Sequence, residues 1–233
     1  MLKPNRPLMI SLEGNIGAGK TTILEYLATL NNITILNEPI DQWCNFNNNN
    51  LLKKMYNNEI TSMSFQSYVQ TTRFNLLNKT INTPILIVER SLLSNEKIFL
   101  KKDLNEGKIT KIEIDILHEN EKLLNNFIHT KPDVIFYLKT NPEVAYNRIK
   151  IRKRKEEKNV TLQLIEDLHT LHENWLNPEQ NNFVPNYKQC NNLTIETFDA
   201  NINLSTLKTK INEKIQTYQL LHTLEMMQNS SSD

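Results

Sequence analysis

The stretch "LMISLEGNIGAGKTTILEYL", residues 8–27, restricts this chain more than any other. An apolar run leads into a glycine-rich turn, and the turn leads into a helical pattern. The turn reads G-x-x-x-x-G-K-T from Gly14 to Thr21, the spacing of a loop that cradles the phosphates of ATP or GTP. The chain has only four glycines, and three of them, Gly14, Gly17 and Gly19, stand here. Glycine reaches backbone angles that other residues avoid. A loop wrapping a phosphate uses several such angles, so that N–H groups and the following helix N-terminus point at the anion. The expected nucleotide contacts run over Gly14, Asn15, Ile16, Gly17, Ala18, Gly19, Lys20, Thr21 and Thr22. Lys20 is expected on the β- and γ-phosphates and Thr21 on Mg2+. The loop implies a nucleoside triphosphate but not its use.

Four further apolar runs read as buried strands: "ITILN" (33–37), "ILIVE" (85–89), "DVIFYL" (133–138) and "LTIETF" (193–198). Helical patterns lie between them: one after the glycine loop, then from about Ser64, 111–128, 140–152, 161–176 and 204–224. Asn141 and Pro142 mark the start of one, as N-cap and first helical residue. Strands alternating with helices predict an α/β fold, a five-stranded parallel sheet flanked by helices on both faces. No repeat or linker divides the chain, so one domain is expected over 1–225, with a disordered tail at 226–233. The asparagine tract at 45–50 reads as a solvated loop without a role.

Composition narrows the partners. A formal charge of +1 makes no demand for polymeric nucleic acid or an acidic membrane. No run is long enough to span a bilayer, and with few residues before the first strand no targeting peptide is expected. Cys44 and Cys190 lack metal or disulfide spacing, which suits a reducing compartment. A cytoplasmic protein is expected.

Three constellations suggest what the triphosphate is for. "NEPIDQW" places Glu38 at the carboxyl edge of the sheet, where ligands of open parallel sheets bind. "VERS" delivers Glu89 and Arg90 to the same edge. One carboxylate there can take a proton from an attacking hydroxyl, a second can hold Mg2+, and an arginine can steady phosphoryl charge. "RIKIRKRKEEK" (148–158) sets Arg148 and Arg152 one helical turn apart, with Arg154 close behind. Such arginines fit a lid closing over the transferred phosphate, although a solvated helix end would look similar.

With these residues in place, the chain resembles the deoxynucleoside kinase family. "EGNIGAGKTT", "EPIDQWCN", "FQSYVQTTR", "VERSLLSNEKIF", "RIKIRKRKEE" and "LHTLHENWL" occur in that family's order and spacing between about residues 8 and 176. The resemblance implies a P-loop kinase fold with an arginine-rich lid, and ATP-dependent phosphorylation of a deoxynucleoside. It implies Glu38 as general base for the 5′-hydroxyl, Arg90 beside the 5′-oxygen, and Thr21 and Glu89 on Mg2+. It also implies Tyr56, next to Met55, and Glu157 on the sugar 3′-hydroxyl. Gln66 would read the base edge between Phe65 and Phe99, and Trp43 would line the nucleoside pocket. Val69, Arg73 and Asn95 fill positions that select the base, and Val69 looks like the thymidine-accepting type. The family pairs an arginine with an aspartate at the last two for deoxycytidine and deoxyguanosine, whereas asparagine stands here. Arginine fills the space a thymine methyl wants, so purine deoxynucleosides or deoxycytidine are expected ahead of thymidine. Family members are generally homodimers. The apolar stripe Ile112, Ile116, Leu123 and Phe127 could serve that contact or could be core.

Other classes fit less well. A GTPase switch needs a D-x-x-G, which the chain lacks, and its one N-K, Asn78-Lys79, does not continue as N-K-x-D. A nucleic-acid-stimulated ATPase would want a broad basic surface. The closest alternative is a nucleoside monophosphate kinase such as thymidylate kinase. An ionised monophosphate acceptor, however, needs no base such as Glu38.

Overall fold

The computed structural model describes residues 6–154, 157–177 and 193–230. Its strands are β1 (Leu8–Gly14), β2 (Ile33–Leu36), β3 (Ile85–Glu89), β4 (Val134–Lys139) and β5 (Thr194–Asp199). The helices are α1 (Lys20–Leu27), α2 (Ile40–Cys44), α3 (Leu51–Tyr56), α4 (Ser62–Leu77), α5 (Leu92–Ser94), α6 (Lys101–Asn105), α7 (Lys111–Asn125), α8 (Pro142–Arg152), α9 (Leu162–Leu176) and α10 (Leu204–Ser230). A π-helical segment, Asn95–Leu100, joins α5 to α6.

The five strands form one parallel sheet in the order β2-β3-β1-β4-β5. Each sequence-predicted strand lies within one residue of an observed one. β1 is buried along its whole length because it has neighbours on both edges and helices on both faces. Its alternation sorts the two layers. Leu8, Ile10 and Leu12 join Val134, Phe136 and Leu138 of β4 against Ile23, Leu24 and Leu27 of α1 and Leu207, Ile211 and Ile215 of α10. On the opposite face Ile135 and Tyr137 of β4 pack with Ile98 and with Leu168, Trp175 and Leu176 of α9. Each fully buried aliphatic side chain of this kind contributes roughly 1.5–3 kcal/mol.

Threonine starts three of the helices. Thr61 accepts from the Ser64 N–H, Thr161 from the Leu164 N–H, and Thr110 forms a reciprocal capping box with Glu113. Each such cap stabilises by about 1 kcal/mol. Asn141 holds the N-cap position of α8 with Pro142 at N1, as expected, but its side chain makes no capping bond.

Several features were not legible beforehand. α2 and α3 have five and six residues, too short to show a helical period. The asparagine tract is indeed a turn, with Asn47 and Asn48 at positive φ and a bridge between Phe46 and Asn49. It also has a role the sequence did not suggest, because the Asn50 side chain accepts from the Lys53 N–H and caps α3. The tail expected to be disordered over 226–233 needs correction as far as residue 230, and 231–233 lie outside the described residues. α10 continues through residues 226–230, extending a helix already anchored by Leu207, Ile211 and Ile215. Cys190 lies outside the described residues.

Candidate active site

The carboxyl ends of β1, β2 and β3 open onto a cleft of about 430 Å³. The glycine loop forms its floor. Gly17 and Gly19 have φ of 79° and 96°, in the left-handed region. A Cβ on Gly17 would come within 2.3 Å of the Ala145 carbonyl oxygen, so α8 packs directly on the loop. At Gly19 a Cβ would meet nothing within 4 Å, leaving an open cradle ahead of α1. The Asn15 side chain ties the loop to α9, donating to the Ile165 carbonyl at 2.8 Å.

Lys20 is buried, and among the described residues its ammonium donates to the Gly14 and Asn15 carbonyls alone, at 3.2 and 3.1 Å. Burial and then the nearby Arg90 guanidinium lower its pKa to about 8, against the pull of Glu89, Glu38 and Glu13. A buried cation without a carboxylate contact, beside a cradle of N–H groups, is suited to a polyphosphate.

Above the loop stand Glu38, just past β2, and the β3 exit. Glu38 accepts from Arg73 at 2.5 Å and lies 3.8 Å from the Arg90 Nε. Its own N–H donates to Glu89 at 3.3 Å. Arg90 is buried with a φ of 60°, a strained value for a side-chain-bearing residue. The kink is held from both sides: the Arg90 N–H donates to the Leu12 carbonyl, and Arg73 donates to the Glu89 and Arg90 carbonyls. The next residue, Ser91, donates its N–H and hydroxyl to the buried Glu13 at 2.8 Å. Glu13 escaped the sequence reading, since only its place on the inner face of β1 marks it.

Arg73 therefore does not pair with Asn95, the contact that the family pattern suggested. Its guanidinium reaches Glu38 and the β3 exit instead, because a carboxylate and two free carbonyls there offer stronger acceptors than an amide. Asn95 is buried in the π-helical turn and still lines the cleft.

The part of the cleft that the resemblance assigns to a nucleoside is lined by Trp43, Met55, Tyr56, Phe65, Gln66, Val69 and Phe99. Trp43 donates to Thr72 at 2.9 Å and meets Phe65 edge-on at 5.9 Å, which fixes both rings. Phe99 lies under the Arg90 guanidinium at 5.0 Å. Tyr56 faces open cleft with 42% exposure. Partial burial, then Glu157 and Glu38, push its pKa up to about 12.

The lid residues divide. Arg152 and Arg154 line the cleft, and Arg152 is paired with Glu157. Arg148 does not line it. Arg148 donates to the Ala200 carbonyl at 2.9 Å and approaches the Ala18 carbonyl at 3.5 Å, because one helical turn sets it about 6 Å back along α8 from Arg152. Gly14, Asn15, Ala18 and Thr22 also stand behind or beside the cleft wall, whereas Ile16, Gly17, Gly19, Lys20, Thr21, Glu38, Glu89 and Arg90 face it.

A family model described as deoxynucleoside kinase matches residues 10–221. The chain belongs to the deoxynucleoside kinase family. It is 35% identical to human mitochondrial thymidine kinase 2 over 169 residues, covering 72% of this chain and 64% of that one. It is 38% identical to a probable deoxycytidine kinase of fowlpox virus over 172 residues, covering 72% and 71%. Similarity to rat deoxycytidine kinase is 29% over 235 residues, covering 90% of each chain. The chain thus spans just under two thirds of the human thymidine kinase 2 that it matches. Among the described residues no helix is long and apolar enough to cross a membrane.

Proposed function

We propose that this protein transfers the γ-phosphate of ATP to the 5′-hydroxyl of a deoxynucleoside. The carrying observation is Glu38 held between Arg73 and Arg90 in the same cleft as Lys20 and the open cradle of the glycine loop. A carboxylate so placed accepts the hydroxyl proton as the oxygen attacks in line. Arg90, Arg152 and Arg154 then face the charge that spreads over the transferring group. Arg148 belongs to the donor side in this reading, bracing the loop through Ala18 rather than touching the phosphoryl group.

Mg2+ fits the residues present. The Thr21 hydroxyl and the Glu89 carboxylate line the cleft, an oxygen-only set that leaves the ion most of its waters and the phosphates as ligands. Bound there, the ion neutralises phosphate charge.

The preferred acceptors are purine deoxynucleosides or deoxycytidine over thymidine, because Arg73 occupies the wall beside Val69. The assembly proposed is a homodimer and the setting the cytoplasm. Ile112, Ile116, Leu123 and Phe127 of the 111–128 stretch are 73%, 48%, 60% and 77% exposed. They are therefore not core, which favours the contact reading. Neither a membrane nor polymeric nucleic acid enters the proposal.

The test is ADP release with ATP and Mg2+, run separately with deoxyadenosine, deoxyguanosine, deoxycytidine, thymidine and thymidine monophosphate. Turnover of a deoxynucleoside is expected. Turnover with the monophosphate alone would replace this reading with a monophosphate kinase.

A further inference from the structure

The π-helical segment turns α6 so that Asp103 enters the cleft wall, buried, directly behind Gln66. One oxygen of Asp103 accepts from the Ser62 hydroxyl at 2.5 Å and from the Gln66 Nε2 at 3.3 Å. Ser62 and Gln66 are one turn apart on α4, so both reach the same carboxylate. A carboxylate only accepts, so its contact fixes which end of the Gln66 amide faces it. The nitrogen turns to Asp103, and the buried Gln66 Oε1 is left without a partner. The nearby cations Lys102 and Lys108 are both taken up by Glu106.

We propose that Asp103 is a specificity-determining positioning residue that locks the Gln66 amide, narrowing the acceptors proposed above to cytosine and adenine, whose amino group stands beside a ring-nitrogen acceptor, ahead of guanine. This rests on the deoxynucleoside reading above. Cytosine and adenine present an amino donor beside a ring-nitrogen acceptor. Thymine and guanine present the reverse, a keto oxygen beside a ring N–H. A free amide serves both edges by turning over. Here turning over would set Oε1 against the Asp103 carboxylate, two acceptors with no proton between them. In this proposal the orphaned Oε1 meets the exocyclic group and the second Nε2 hydrogen meets the ring nitrogen, so an amino group beside a bare ring nitrogen is matched, whereas a keto oxygen beside a ring N–H sets acceptor against acceptor and donor against donor.

The experiment measures kcat/KM for deoxycytidine, deoxyadenosine, deoxyguanosine and thymidine with wild type, Asp103→Asn and Ser62→Ala. Quenching of Trp43 fluorescence gives the binding of each nucleoside independently. Wild type is expected to prefer deoxycytidine and deoxyadenosine. Asp103→Asn, which lets the Gln66 amide turn over, should shrink that preference at least tenfold in both readouts. Ser62→Ala keeps the carboxylate and should shift the ratio less, in the same direction. A purely structural Asp103 would weaken all four substrates in parallel. An unchanged ratio, or a wild-type preference for thymidine and deoxyguanosine, overturns the assignment of Asp103 alone. Absence of turnover and binding with every deoxynucleoside overturns the proposed function, and this inference with it.

Discussion

At the scale of single residues the site is governed by unusual charge burial. Glu38 is engaged by two arginines, and Lys20 is held among carbonyls. Replacing Glu38 by Gln keeps the shape and one acceptor but removes the proton sink. The expected result is a kcat lower by about two to four orders of magnitude with ATP affinity retained, read by steady-state kinetics and calorimetry. A near-native kcat would remove Glu38 from proton transfer. The lowered pKa of Lys20, about 8, gives a second expectation. In the proposed function the triphosphate would bind the protonated lysine, and raising the pH through 8 removes that proton from the free protein. ATP affinity should therefore weaken above pH 8, and binding there should be accompanied by proton uptake. Calorimetry in buffers of different ionisation enthalpy reads that uptake; a pH-independent affinity between 7 and 9.5 would contradict it.

At the scale of elements, α9 joins the fold to acid stability. His172 is buried in α9, bonded through Nδ1 to the Leu168 carbonyl at 2.6 Å, with its ring parallel to Tyr137. Burial, and then the positive charge of Arg90, lower its pKa from 6.5 to about 3. The sign follows directly. Below pH 6.5 the unfolded chain takes up a proton that the folded chain refuses, so this contribution to stability is lost progressively as pH falls toward 3. The slope of such a group reaches about 1.4 kcal/mol per pH unit. His172→Phe fills the site without a titrating group. The stability lost between pH 6.5 and 4.5 should be smaller in that variant by about 1–2 kcal/mol, measured by urea unfolding at both values. The same scale explains what sequence pattern misses. Long periodic helices such as α7 and α9 were legible. α2, α3 and the α5–α6 turn were not, because their geometry is set by what they pack on. Asp103 illustrates the cost: an aspartate in "KKDLN" carries no signal until the π-helical turn aims it at Gln66.

At the scale of the whole molecule, no described residue covers the apolar side chains of Ile112, Ile116, Leu123 and Phe127, which supports the proposed homodimer. The expectation is a dimer in solution, with Phe127→Glu combined with Ile112→Glu giving a monomer that stays folded. Light scattering after size exclusion and circular dichroism read both halves. A monomeric wild type would refute the dimer. The parallel sheet, the phosphate loop and the positions of Glu38, Glu89 and Arg90 were determined by the sequence alone. Their signals are local: a run of β-branched residues, a cluster of glycines, a charged residue at a strand end. The tertiary structure decided the partners. Arg73 bonds Glu38 rather than Asn95, Arg148 turns away from the cleft, and Asp103 orients Gln66, because each depends on groups distant in sequence that only packing brings within hydrogen-bonding reach.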